Sequence, residues 1–158
     1  MPTIKIAGHD VLLDEEDLHL MESTSWFIRR SGGTSYVQHN TYAGHEYSGY
    51  ESLHRLIAGC GQGDVVDHIN GNGLDNRRCN LRICSHAENL RNRKIHANNN
   101  SGFKGVYFDR SLSVRPWRAQ IRVAGKKFNL GRYSTAEEAS QAYKKAAVRL
   151  HGEFARLA

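Results

Sequence analysis

Asp67 and His68 stand side by side, with Asn80 and Asn89 following in the next two dozen residues. Together these side chains suit the attack of water on a phosphate ester. The Asp67 carboxylate and the Asn89 amide oxygen are hard donors. A hard divalent cation such as Mg²⁺ takes one or two protein ligands and fills its other positions with water and substrate phosphate. The imidazole of His68, with an ordinary pKa of about 6.5, can be neutral at cellular pH and take a proton from the attacking water. The tasks then divide, because the cation stabilises phosphate charge and the departing oxygen while the imidazole prepares the nucleophile. Taken singly, each residue has a plainer role: His68 a surface or hydrogen-bonded histidine, Asp67 and Asn80 turn residues, Asn89 a cap. Only the combination points to chemistry. Strand alternation sends neighbours to opposite faces, so Asp67 and His68 serve one site only where the strand bends or ends.

The elements that must position these groups are legible nearby. The β-branched run Val65-Val66-Asp67-His68-Ile69 predicts a strand, and Asn70-Gly71 and Asn72-Gly73 are turn formers. The chain therefore returns through Asn80-Leu81-Arg82-Ile83-Cys84 as a second strand. Ser85-x-x-Glu88 is a capping box that starts a helix running to about Arg93. Upstream, residues 3–6, 11–13, 25–29 and 35–38 read as short strands broken by Gly8, Gly32-Gly33 and Gly44. Asp14-Glu15-Glu16-Asp17 suits the first turn of a short helix. Residues 95–101 form a polar, Asn-rich linker. Beyond it come strands at 103–108, 117–123 and 127–133, then a helix from a second capping box, Thr135-x-x-Glu138. That helix sets Ala139, Ala142, Tyr143, Ala146 and Leu150 on one face before Gly152. Alternation puts Trp117, Ala119, Ile121 and Val123 on one strand face and Arg118, Gln120 and Arg122 on the other. The fold class is α+β, with domains at 1–94 (core 51–93) and 102–158.

Composition limits what the chain does. At 158 residues it holds one ordinary domain or two small ones, not a large multidomain enzyme. Its longest apolar runs, such as Val11-Leu12-Leu13, fall far short of the ~20 residues that span a bilayer. Met1-Pro2-Thr3-Ile4-Lys5 opens no secretory signal, so a cytoplasmic, reducing location is expected rather than secretion. Cys60, Cys79 and Cys84 are odd in number and lack a C-x-x-C pair, so neither a disulfide framework nor a thiolate zinc site is expected, and the thiols read as buried or incidental. Charge is uneven: residues 1–54 hold 3 basic and 8 acidic side chains, 55–100 hold 7 and 4, and 101–158 hold 12 and 4. The basic last third fits either a nucleic-acid-binding face or a solvated one.

Residues 51–93 resemble HNH endonucleases of the phage and mobile-intron homing type. The motifs are Leu53-His54-Arg55, Val66-Asp67-His68, Gly73-Leu74-Asp75-Asn76-Arg77, Asn80-Leu81-Arg82 and Asn89. The third is one residue short of the family spacing, and the last residue is Asn rather than His. The resemblance implies a ββα-metal core in which Asp67 and Asn89 bind one Mg²⁺ or Mn²⁺ and His68 is the general base. Asn80 would tie the hairpin and orient His68, and Arg82 would lie near the scissile group. Arg77, Arg78, Arg91 and Arg93 read as phosphate contacts, since Glu88 is the one acid between residues 77 and 94. His54 either points into the site or packs beneath it, with the structural role slightly favoured.

The last third resembles APETALA2-type DNA-binding domains through Ser101-Gly102-Phe103-Lys104-Gly105-Val106, Trp117-Arg118-Ala119-Gln120-Ile121-Arg122, Leu130-Gly131, Thr135-Ala136-Glu137-Glu138-Ala139 and Ala142-Tyr143. The resemblance implies a three-stranded antiparallel sheet packed on one helix and laid in the major groove. Lys104, Tyr107, Arg110, Arg118, Gln120, Arg122, Lys127 and Asn129 are its candidate DNA contacts. The expectation is an endonuclease acting on double-stranded DNA at or near a recognised site and leaving 5′-phosphate and 3′-hydroxyl ends, with no membrane and no small-molecule cofactor. The alternative is a DNA-binding regulator with an inactive nuclease head. Monomer and homodimer are equally open.

Overall fold

The computed structural model describes residues 2–155 apart from Ser23, Gln62, Arg93, Lys94, His96 and Ala97, with backbone alone at Arg91 and Glu153. The chain is of mixed α and β structure and divides into two compact units, Met1–Asn89 and Leu90–Ala158.

The first unit opens with the hairpin β1 (Thr3–Ile6) and β2 (His9–Leu12), antiparallel with Ile4 opposite Val11. The acidic run forms a 3₁₀ helix, Glu15–Met21, with Glu15, Glu16 and Asp17 in its first turn. Next come β3 (Phe27–Ser31), β4 (Thr34–Ala43) and β5 (Glu46–Ser52), an antiparallel sheet in the order β3-β4-β5. Helix α1 (Leu53–Ala58) ends on Gly59 in the left-handed region, φ 61°. Then β6 (Val65–His68) and β7 (Leu81–Cys84) pair antiparallel, with a 3₁₀ turn at Arg78–Asn80 between them and α2 (His86–Arg91) after them. Val11, Leu13, Val37 and Leu53 are fully buried and, with Ile6 and Ile57, form the core, against which Trp26, Ile28, Leu74 and Leu81 pack. The N-terminal hairpin does more than fill space. Leu12 donates its N–H to the Leu74 carbonyl (2.9 Å) and accepts from the Asn76 N–H (2.9 Å), strapping down the loop that leads into β7.

Two differences from expectation concern this sheet. The strand expected at 35–38 runs through Ala43, and β5 was not expected at all. Their outer stretch carries exposed tyrosines and polar residues rather than an apolar alternation, so it lacks the signal that marks a half-buried strand.

In the second unit, β8 (Val106–Phe108), β9 (Trp117–Val123) and β10 (Lys126–Tyr133) form an antiparallel sheet in the order β10-β9-β8. Helix α3 (Ala136–His151) covers one face, with Val106, Ala119 and Ile121 buried against Ala136, Ala139, Tyr143, Ala146 and Ala147. The capping box forms: Glu138 N–H donates to Thr135 Oγ1 (3.2 Å) and Thr135 N–H to Glu138 Oε2 (3.4 Å). Small residues let the helix lie close, and Gly105 shows how close. A Cβ there would overlap the Tyr143 ring and stand 2.6 Å from the Gln120 carbonyl, at a backbone φ of +71° that disfavours any side chain. The same φ starts β8 at Val106, later than expected. Leu150 is exposed, contrary to expectation, and the last turn buries Ala147 and His151 instead. Of the expected linker, His96 and Ala97 lie outside the described residues, while Asn99 Nδ2 donates to the Phe103 carbonyl (3.0 Å) and Ser101 Oγ to the Val106 carbonyl (2.9 Å). No helix among the described residues is long and apolar enough to cross a membrane.

Candidate active site and nucleic-acid interface

The β6–β7 register sets Asp67 opposite Arg82 and His68 opposite Leu81. Arg82 donates to Asp67 Oδ2 from Nε (3.0 Å) and Nη2 (2.7 Å), and both side chains are largely buried. Cys84, two residues along the same strand, sits in the field of the Asp67 carboxylate and beside the Asn89 backbone N–H. Burial first, and then the Asp67 carboxylate, push its thiol pKa up, while Arg82 and the Asn89 backbone N–H act the other way. Asn89 is held in α2, whose start is fixed by Ser85 and Glu88: Glu88 Oε2 accepts from Ser85 N–H (2.8 Å), and Glu88 N–H donates to Ser85 Oγ (3.3 Å). Asp67, Arg82 and Cys84 thus share one face of the hairpin. Among the described residues no three His, Cys, Asp or Glu side chains gather as an all-protein metal cage.

His68 is the last residue of β6 and faces other partners, as alternation requires. Its Nε2 lies 3.5 Å from Asn76 Oδ1, and its ring meets His54 edge-on at 4.9 Å and Tyr36 at 6.0 Å between centroids. Burial lowers the His68 pKa, opposed by the Asn76 contact and by the charges of Asp67 and Asp75, so the ring is held neutral while still feeling the Asp67 carboxylate. His54, between Tyr36 and His68, is pushed down to about 3 by burial and then by His68 and Arg55, and its Nδ1 is buried with no hydrogen-bond partner.

His54 ties the stability of the first unit to pH. The folded imidazole stays neutral well below 6.5 while the unfolded one gains a proton there, so the unfolded state binds more protons as the solution is acidified. Stability is therefore lost as pH falls from about 6.5 towards 3, by at most about 1.4 kcal/mol per pH unit for this one group. His68, also depressed, acts in the same direction. Urea unfolding of His54→Gln between pH 4 and 6 (roughly the span in which only the unfolded imidazole titrates) is expected to show a shallower slope of free energy against pH than wild type. An equal slope contradicts the burial argument.

The loop between the strands is a polar lattice. Asn80 Nδ2 donates to the Asp75 carbonyl (2.7 Å), and its Oδ1 accepts from the Asn70 N–H (3.0 Å). Asn70 Nδ2 donates to Asp75 Oδ2 (2.8 Å), and Arg77 grips both oxygens of the buried Asp75 at 2.7 and 2.6 Å. That guanidinium is the main reason the Asp75 pKa is lowered. Gly73 lets the loop lie on β4, since a Cβ there would collide with the Ser35 carbonyl and approach Tyr36 Cδ1 to 2.9 Å. Arg78 reaches back to the 3₁₀ helix and pairs with the buried Asp17 (2.6 Å) and with Glu16 (2.7 Å). Arg77 and Arg78, expected on phosphates, are thus held by carboxylates of their own unit. A count of acids between residues 77 and 94 does not see those partners, which lie upstream.

In the second unit the register gathers most of the expected contacts on the face away from α3. Tyr107 and Arg132 stand opposite Arg118, Asn129 opposite Gln120, and Lys127 opposite Arg122. The Arg118 guanidinium lies 6.0 Å from the Tyr107 ring centre. Lys104 precedes β8 and Arg110 follows it, so neither is on a strand of this face. Trp117 packs on the helix side, its ring 4.8 Å from that of Phe108. Arg132 was missed by sequence reasoning because a bulge between Asn129 and Gly131 shifts the alternation of β10. It bonds Asp109 (3.0 Å), yet its Nη1, like Arg118 Nε, is buried with no hydrogen-bond partner.

Comparison with known proteins adds a family to this geometry. The chain is 30% identical over 142 residues to an uncharacterized HNH endonuclease of Acanthamoeba polyphaga mimivirus, a match covering 86% of this chain and 67% of the relative. The chain belongs to the HNH endonuclease family. It is also 34% identical over 95 residues to Protein 3.8 of Escherichia phage T7, covering 60% of this chain and 76% of that protein. No family model and no solved structure matches.

Within this HNH-family chain, two side chains beside His68 were not singled out by sequence as touching it. In the sequence Asn76 is only a motif letter, and His54 is open between the site and the packing beneath it, with no partner indicated. Both are brought in by chain reversal, which no local spacing reveals. Of the remaining expected contacts, Arg93 and the Arg91 side chain lie outside the described residues. Cys79 is exposed rather than buried, and all three thiols are free.

Proposed function

We propose that the chain hydrolyses phosphodiester bonds of double-stranded DNA at the β6–β7 hairpin. The reading is carried by one observation: in an HNH-family chain, Asp67 and His68 close a strand beside Arg82, and a capped helix bearing Asn89 follows at once. His68 takes the proton from an attacking water, kept neutral for the task by burial against His54 and Tyr36. Asn76 Oδ1, beside Nε2, helps to set the orientation of the ring. Water then forms the new bond to phosphorus and the bond to the 3′ oxygen breaks, giving 5′-phosphate and 3′-hydroxyl ends. Asp67 and Asn89 would hold a single Mg²⁺ or Mn²⁺, since both offer oxygen and the donor set leaves room for the waters such ions keep. When bound, the ion supplies Lewis-acid stabilisation of the phosphate charge and of the leaving oxygen. Arg82 balances the Asp67 carboxylate in the resting chain and offers donors to a phosphate oxygen. Asn80 holds the loop in shape.

The second unit serves as the reader, an APETALA2-like sheet whose outer face takes the duplex. The cross-strand set of Arg118, Arg122, Lys127 and Arg132 gives that face the positive charge that phosphate oxygens seek. Joining a weakly selective cutter to such a face raises its local concentration near a bound site. Replacing Arg118 and Arg122 together by alanine is expected to weaken duplex binding and to lower the slope of log affinity against log salt by about 2, roughly 0.9 per phosphate contact. An unchanged slope in fluorescence-anisotropy titrations rejects this face.

The test of the reading is nicking of supercoiled plasmid. Nicks are expected with Mg²⁺ and not with chelator. Binding in chelator with no nicking under any divalent ion overturns it in favour of a DNA-binding regulator.

A further inference from the structure

The β4–β5 hairpin outgrows the sheet that carries it. Strand β3 pairs with β4 only as far as Gln38, and the longer strands continue as a two-stranded ribbon through 39–43 and 46–51. At about 3.4 Å per residue this free part extends about 17 Å. Alternation sorts its side chains. Asn40 and Tyr42 of β4, with Tyr50 and Tyr47 opposite them, share the face of Tyr36, while His39, Thr41, Glu46 and Glu51 take the other. On the first face Tyr42, Tyr47 and Tyr50 are 60%, 61% and 49% exposed, Tyr42 and Tyr47 meet edge-to-face at 6.2 Å, and the Arg29 guanidinium lies 4.4 Å from the Tyr50 ring centre. The same face begins at Tyr36, whose ring is 6.0 Å from that of His68. An aromatic, acid-free surface thus runs outward from the candidate base, and both carboxylates of the ribbon point away from it.

We propose that this ribbon enters a groove of the substrate duplex beside the scissile phosphate, with Asn40, Tyr42, Tyr47 and Tyr50 against sugar and base edges and Arg29 on a phosphate. The inference rests on the DNA-hydrolysis reading above. A two-stranded ribbon fits the major groove. Tyrosine offers a flat apolar body and a hydroxyl tip, which suits a surface that is partly base edge and partly backbone. The missing acids matter as much, because a carboxylate facing the duplex would repel its phosphates, and here Glu46 and Glu51 lie on the outer side.

The test uses the full chain and a labelled duplex pool of random sequence. Tyr42→Ser/Tyr47→Ser changes two exposed side chains, so the melting temperature should hold. Its affinity for the pool is expected to fall about 30-fold, the low end for loss of two aromatic contacts at about 1 kcal/mol each, with the salt slope unchanged because no charge is lost. Arg29→Ala should lower that slope by about 0.9. A photoreactive benzoylphenylalanine placed at Tyr47 should crosslink to DNA, and one placed at Glu51, on the opposite face, should not. If wild type binds and cuts while the double variant does so equally well and position 47 gives no crosslink, this surface is wrong and the hydrolysis reading stands. If wild type neither binds nor cuts, both fail. A double variant that loses self-association in sedimentation, with DNA affinity intact, overturns the proposal in favour of a contact between copies of this chain.

Discussion

Alanine in place of His68 is expected to slow plasmid nicking by about 10²–10⁴-fold, the usual worth of a positioned general base, with duplex affinity little changed. The ring lies in a buried cluster with His54, Tyr36 and Asn76, so its removal also opens space in the first unit. His68→Asn, which fills more of that space but titrates no proton, separates the two effects. If both variants nick slowly while melting near the wild-type temperature, the loss belongs to chemistry. Nicking by His68→Asn at the wild-type rate would remove His68 from the mechanism.

The second large effect is expected at Asp67. Asp67→Asn should lower cleavage by about 10³-fold or more, corresponding to the several kcal/mol of charge stabilisation a correctly seated cation provides, while DNA binding persists. Here alanine is the poorer probe. Asp67 and Arg82 form a largely buried ion pair, and stripping one partner from such a pair costs about 3–5 kcal/mol, enough to confuse unfolding with lost catalysis. Asparagine keeps the shape and an acceptor oxygen for Arg82. If binding in gel-shift titrations falls in step with cleavage, Asp67 serves the fold or the DNA contact rather than the metal.

What could be read from the chain before folding was what depends on near neighbours. The capping boxes at Ser85 and Thr135, the alternation over 117–123 and the turn after Ile69 are all settled within a few residues, and all are present. The condition that Asp67 and His68 share a site only where the strand bends or ends is also local. They meet different partners, and β6 ends at His68. Other features were invisible because their partners come from afar. Arg78 finds Asp17 across 61 residues, and Tyr36 meets His68 where the Gly73 loop lies against β4. Arg132 was hidden by a bulge, and β5 by a surface too aromatic and too polar to read as half-buried. Charge counting was the weakest guide. It offers Arg77 and Arg78 as phosphate contacts but does not reveal that each also secures a buried carboxylate of the first unit.

Central to the proposed chemistry is one ion shared by a strand carboxylate and a helix amide next to the base. Titration of Mn²⁺ into the full chain, followed by the loss of its free-ion paramagnetic resonance signal, tests this most directly. One Mn²⁺ per wild-type chain is predicted, with that binding weakened at least about 10-fold in Asp67→Asn and in Asn89→Ala and retained in His68→Asn, the range expected when a ligand or its support is lost. Equal Mn²⁺ binding by wild type and both ligand variants would contradict it.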